Sequence, residues 1–167
     1  MNNAIWLILS LMPIGVIKKS LGSKSIRPDT AGFLYRTLEN LKNLAVYTYV
    51  LYPKNKDSIT EMVLSIRTLS SFISQNLERD VRMGNTSISK KDFDDKFSKK
   101  AFDLSKKELT NRKIDIRSLE PSFVYTLRNI EILKEKNIPE KYKNYLIETI
   151  ERFLLIFCII LKNNGSL

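Results

Sequence analysis

The apolar positions of this chain recur at helical spacing in blocks, and short polar or proline-bearing breaks separate the blocks. Leu34, Leu38, Leu41, Ala45 and Tyr52 lie three, four or seven residues apart, and Phe33, Leu44, Tyr47 and Leu51 widen that stripe. The pattern predicts a first long helix with a broad buried face. Asp29 or Thr30 is expected to cap its start, because a short side-chain oxygen can accept from the free amides there. Pro53 is expected to end it, since proline lacks the amide proton and disfavours helical geometry in the residue before it. A second stripe runs through Ile59, Met62, Val63, Ile66, Leu69, Ile73 and Leu77. Ser58 and Glu61 predict a capping box at its start, and Gly84-Asn85 predicts a left-handed stop after Met83.

Ser89 with Asp92 marks the next helix start, and residues 90–109 carry Phe93, Phe97, Ala101, Leu104 and, less regularly, Phe102. This stripe is thinner than the others, so the segment is expected to be the least firmly packed, or held by a partner. Residues 113–117 alternate charged and apolar side chains but have no second strand to pair with, which assigns them to a loop. Ser118, with Glu120 and Pro121 in the first turn, predicts another helix start. Phe123, Val124, Leu127, Ile130 and Leu133 form its expected face, and Asn137 its end. Pro139 opens the last helix, striped by Tyr142, Leu146, Ile150, Phe153 and Phe157. Residues 153–161 are apolar all round, which suits a central position in a bundle, an oligomer contact or lipid, and residues 162–165 form the stop.

Residues 4–17 are apolar apart from Ser10, Pro13 and Gly15, and Lys18 and Lys19 follow them. That run is shorter than the roughly 20 residues a spanning helix needs. Its positive charge follows the apolar stretch rather than preceding it, unlike a secretory signal. It reads as a short helix kinked near Pro13 that docks on the body or on a neighbouring subunit, with a membrane anchor as the alternative. The expected organisation is an apolar arm and basic linker over residues 1–28 and a helical domain over 29–167. Five glycines and five prolines in 167 residues are too few turn formers for an all-β chain. The expected fold class is therefore all-α: an antiparallel helical bundle of about five helices plus the short N-terminal one.

The chain contains no histidine, which removes imidazole bases, imidazole metal ligands and Ser-His or Cys-His dyads. The single cysteine, Cys158, lies in an apolar run and reads as an inert thiol. No glycine-rich phosphate loop occurs. Asp92, Asp94 and Asp95 are flanked by Lys90, Lys91 and Lys96, and Glu148 and Glu151 by Lys141, Lys143 and Arg152; both groups read as solvated helix faces rather than metal sites. Tyr47, Tyr49, Tyr52, Tyr142 and Tyr145 read as amphipathic core edges. The expectation is a protein without catalytic residues, metal or cofactor.

Charge changes the picture more. The net charge is +10, and it concentrates in two places. Lys18, Lys19, Lys24 and Arg27 have no acid among the first 28 residues. Residues 90–117 hold ten basic and six acidic side chains, among them Lys90, Lys91, Lys96, Lys99, Lys100, Lys106 and Lys107. Lysines on one helix face can neutralise phosphates, and exposed phenylalanines can stack on unpaired bases. Against this, Phe93 and Phe97 are spaced as core residues, and a lysine-rich chain can reflect coding bias alone. Arg79 and Arg82 are placed to extend the patch. The order of elements over residues 33–162, with Tyr52-Pro53-Lys54 after a first long helix and Tyr142 in a final one, loosely resembles small basic four-helix-bundle accessory proteins of retroelement reverse transcriptases. The apolar N-terminus and the basic segment at 83–117 lie outside that resemblance, and no residue's role follows from it.

The leading expectation is a non-enzymatic cytoplasmic protein that binds nucleic acid through phosphate contacts, RNA favoured over DNA. It would be a nucleoprotein or accessory subunit of viral or mobile-element type, in a homo-oligomer or larger assembly. Two other readings are carried: a helical scaffold docking on an acidic protein, and a peripheral membrane protein contacting lipid through residues 4–17.

Overall fold

The computed structural model describes residues 26, 28–77, 80–83 and 85–166. The N-terminal segment at 4–17, Lys18, Lys19, Lys24, Arg27 and Arg79 lie outside the described residues. The described residues form an all-α bundle of six helices with a single two-stranded hairpin.

Helix α1 (Pro28–Leu51) starts on a proline, whose missing amide costs nothing in a first turn. The helix thus begins before the expected cap positions Asp29 and Thr30, which lie inside it. It stops before Pro53, as expected. Pro53–Asn55 then forms a 3₁₀ turn that runs directly into α2 (Lys56–Gln75). Ser58 and Glu61 are therefore inside α2, and no side chain caps its first turn. The helix starts at Lys56, two residues before the expected cap at Ser58, because the chain enters it from the proline-started turn.

Helix α2 also ends earlier than expected. Asn76 closes it, its backbone amide donating to the Ile73 carbonyl at 3.1 Å and its side chain to the Phe72 carbonyl at 2.8 Å. Leu77 forms a bridge with Ile26, and strand β1 (Val81–Met83) pairs antiparallel with β2 (Thr86–Ile88). The Met83↔Thr86 register puts Asn85 in the turn between the two strands, so the helix stop expected after Met83 falls instead at Asn76; Gly84 lies outside the described residues.

The lysine-rich helix is broken in its middle. Residues 90–109 form two helices, α3 (Lys90–Lys96) and α4 (Lys99–Leu109). Ser89 caps α3 as expected, accepting from the Asp92 amide at 3.1 Å. Ser98 is extended and caps α4 in turn, accepting from the Ala101 amide at 3.2 Å. The break resets the helical phase: Phe102 turns inward and Leu104, expected in the stripe, is exposed.

Asp115 caps a second 3₁₀ turn (Ile116–Leu119), and α5 (Glu120–Lys134) follows with Leu119, not Ser118, at its cap position. Its end comes at Lys134, before Asn137. Its buried face also differs from the apolar pattern. Thr126, Asn129, Ile130 and Leu133 point inward, whereas Val124 and Leu127 are exposed. Helix α6 (Glu140–Asn163) buries Tyr142, Leu146, Ile150, Phe153 and Phe157 as expected, and Gly165 at φ 72° closes its end.

Contacts between named side chains fix the directions. Thr37 meets Asn129 and Lys136 lies over the Phe33 ring, so α5 runs antiparallel to α1. Phe72 packs on Tyr142 and Tyr145 while Asn55 meets Asn164, so α6 runs antiparallel to α2. Going round the bundle the order is α1, α2, α6, α5. Helices α2 and α5 therefore point the same way, and the chain between them must cross from one end of the bundle to the other. The hairpin, α3 and α4 make that crossing, ascending along α1: Phe93 and Phe97 meet Tyr35, Lys96 meets Lys42, and Lys106 meets Tyr49. Helix α1 is thus covered by α2, α5, α4 and β1 and becomes the central helix. That explains why its apolar and small residues spread over most of its surface.

Candidate nucleic-acid interface

The crossover is anchored by its phenylalanines. Phe93, Phe97 and Phe102 are all buried. Tyr35, Phe93 and Phe97 form a three-ring cluster with centroids 5.5, 5.5 and 5.7 Å apart, in tilted and edge-on arrangements. Burying each ring contributes about 1.5–3 kcal/mol, so the segment expected to be loosest is firmly attached. These rings are core and offer no stacking surface to bases.

Inward phenylalanines leave the lysines outside. Lys90, Lys91 and Lys96 on α3 are exposed, but so are Asp92, Asp94 and Asp95, and the two sets balance. Asp94 also accepts from the Ser70 hydroxyl at 3.2 Å. Lys42, from α1, donates to the Lys96 carbonyl at 3.2 Å, a cation at a helix C-terminus. Burial holds the Lys42 ammonium below the usual lysine range, and the nearby Lys96 charge adds to this, while Glu39 and Glu108 oppose it.

Helix α4 is different. It carries Lys99, Lys100, Lys106 and Lys107 against Asp103 and Glu108 only. Lys99 and Lys106, two turns apart, face a groove between α4 and α2 with a volume of about 430 Å³. Two further cations, Lys56 and Arg67 of α2, line the same groove. Its apolar wall is built from Val63, Leu64 and Phe102. Lys106 is fixed on the inner side: its ammonium lies 3.3 Å from Asp103 Oδ1 and 4.1 Å from the Tyr49 ring centroid. Asp103, the one acid among the described residues lining the groove, is thereby paired within it. Among the described residues, Lys56, Arg67 and Lys99 are exposed and in no ion pair. Lys100 and Lys107 lie on the adjoining face of α4, beside the exposed Leu104.

Of the basic residues singled out from the sequence, the structure brings Lys99 and Lys106 together with two that were not, Lys56 and Arg67. No sequence signal marked that pair, since α2 also carries Asp57 and Glu61 and is locally neutral. Among the described residues no group of three or more metal-ligating side chains converges. Cys158 is half-buried, and desolvation raises its thiol pKa. No described helix is long and apolar enough to cross a membrane. No family model, curated protein or solved structure matches this chain.

Proposed function

We propose that this protein binds nucleic acid without catalysing a reaction, through phosphate contacts on the face shared by α4 and α2, as a nucleoprotein or an accessory subunit of an assembly. One observation carries the reading: the crossover buries its aromatics and thereby directs the lysines of α4 outward, where they meet Lys56 and Arg67 around a single acid that is already paired. Such contacts set affinity and register on a backbone and carry little base information. The reading is tested by fluorescence anisotropy with a 20-nucleotide RNA and a 20-base-pair DNA duplex over a salt series. Binding in the micromolar range near physiological salt, with a log–log slope corresponding to about −0.7 per contact on a single strand or −0.9 on a duplex, supports it. Absence of binding at that salt refutes it.

A second reading, a scaffold that docks on another protein, is favoured by Val124 and Leu127, one turn apart and both exposed on α5. Replacing both with Ser would abolish such docking and leave nucleic-acid binding unchanged.

A further inference from the structure

We infer that the groove between α2 and α4 accommodates one unpaired nucleotide of a single strand, its base against the apolar wall and its flanking phosphates on Lys56, Arg67 and Lys99; the inference rests on the nucleic-acid reading above. The groove has two chemistries that a phosphate alone would not use together. Its rim carries four cations and one paired acid, which suits a polyanion. Its wall is apolar, and Leu64 stands in it 55% exposed although ringed by charge. A solvated apolar side chain between cations gains by contact with a flat, weakly hydrated group joined to an anion, and a nucleotide is such a ligand. The volume of about 430 Å³ lies in the range of pockets that take small organic groups. In a duplex the base faces are stacked on one another and cannot reach the wall, so the groove selects single strands. Phe102 is buried and supplies no stacking platform; the exposed Leu64, with the half-buried Val63 beside it, supplies the contact.

The test uses the full chain with an unstructured 12-nucleotide RNA and with a 12-base-pair duplex at one fixed salt, for the wild type and for Leu64→Asn. Leu64 is exposed, so the neutral substitution leaves the fold intact, which circular dichroism melting verifies. The expected result is single-strand binding at least tenfold tighter than duplex binding, with Leu64→Asn removing most of that preference and leaving duplex affinity unchanged. Uridine monophosphate alone is expected to shift the methyl resonances of Val63 and Leu64. Equal affinity for the two forms, or an equal loss for both in Leu64→Asn, overturns the inference while the phosphate-contact reading stands. Absence of binding to either form removes both.

Discussion

The Asn129 side-chain amide donates a 3.0 Å hydrogen bond to the Thr37 hydroxyl across the interface of α1 and α5, joining two residues 92 positions apart. Both are almost fully buried, and the Thr37 hydroxyl in turn donates to the Phe33 carbonyl at 3.0 Å. A buried polar pair is satisfied in only one alignment of its two helices, so it selects a register where apolar contacts alone would tolerate a slip. Thr37→Val keeps the shape and removes the acceptor. It is expected to cost about 1–3 kcal/mol, the desolvation penalty of an orphaned buried amide, read from urea unfolding midpoints. The double variant with Asn129→Leu is expected to recover part of the loss. A single variant as stable as the wild type would show that the bond contributes nothing.

The Tyr142 hydroxyl has the opposite status. Its side chain is 3% exposed, and among the described residues it is the one buried side-chain polar atom without a hydrogen-bond partner. Its ring stacks on Phe72 with centroids 6.0 Å apart, so the ring packs well and the oxygen is the liability. Tyr142→Phe is expected to stabilise the protein by about 1 kcal/mol. A clear drop in melting temperature would mean that the hydroxyl has a partner.

Burial raises the phenol pKa of Tyr35, with Glu39 adding to it, and raises that of Tyr145, where a bond to Thr149 partly offsets it. A group whose folded pKa lies above its unfolded value of 10.0 holds its proton more tightly in the folded state. Its contribution is complete below that value and is lost as pH rises through the folded pKa. Stability is therefore expected to decline above about pH 10, and Tyr145→Phe, which cannot ionise, to decline less steeply. Parallel curves for the two proteins between pH 9 and 11 would contradict this.

Helix α4 depends on Ser98, whose hydroxyl oxygen accepts from the Ala101 amide. Ser98→Ala is expected to cost about 1 kcal/mol and to accelerate amide exchange in the first turn of α4, which carries Lys99 and Lys100. Unchanged exchange there would place the stability of α4 wholly in Phe102 and its neighbours.

Elements that begin or end on a residue with one dominant local preference were legible in the sequence: Pro53 after α1, Ser89 before α3, Pro139 before α6. The features that escaped each have a local reason. Phe93 and Phe97 are spaced as on one continuous helix, so nothing in the pattern marked the break at Ser98. Strands of three residues are too short for alternation to register, and Gly84-Asn85 suits a helix stop as well as a hairpin tip. On α5 the apolar pattern pointed to Val124 and Leu127, while the inward positions went to Thr126 and Asn129 because a long-range hydrogen bond satisfies the latter. The candidate site was half legible. Lysine density marked Lys99 and Lys106, but their convergence with Lys56 and Arg67 is made by the crossover's path along α1, which no local signal encodes.

The most direct measurement separates the groove face of α4 and α2 from the charge-balanced α3. Anisotropy titrations with single-stranded RNA compare Lys56→Gln/Lys99→Gln, on the groove, with Lys90→Gln/Lys91→Gln, on the charge-balanced α3. All four side chains are exposed, so neither pair disturbs the core. The groove pair is expected to weaken binding at least tenfold and to reduce the salt slope by about 1.4, two single-strand phosphate contacts, while the α3 pair changes affinity less than threefold. Equal losses from the two pairs, or a larger one from Lys90 and Lys91, would contradict a binding face made by α4 and α2.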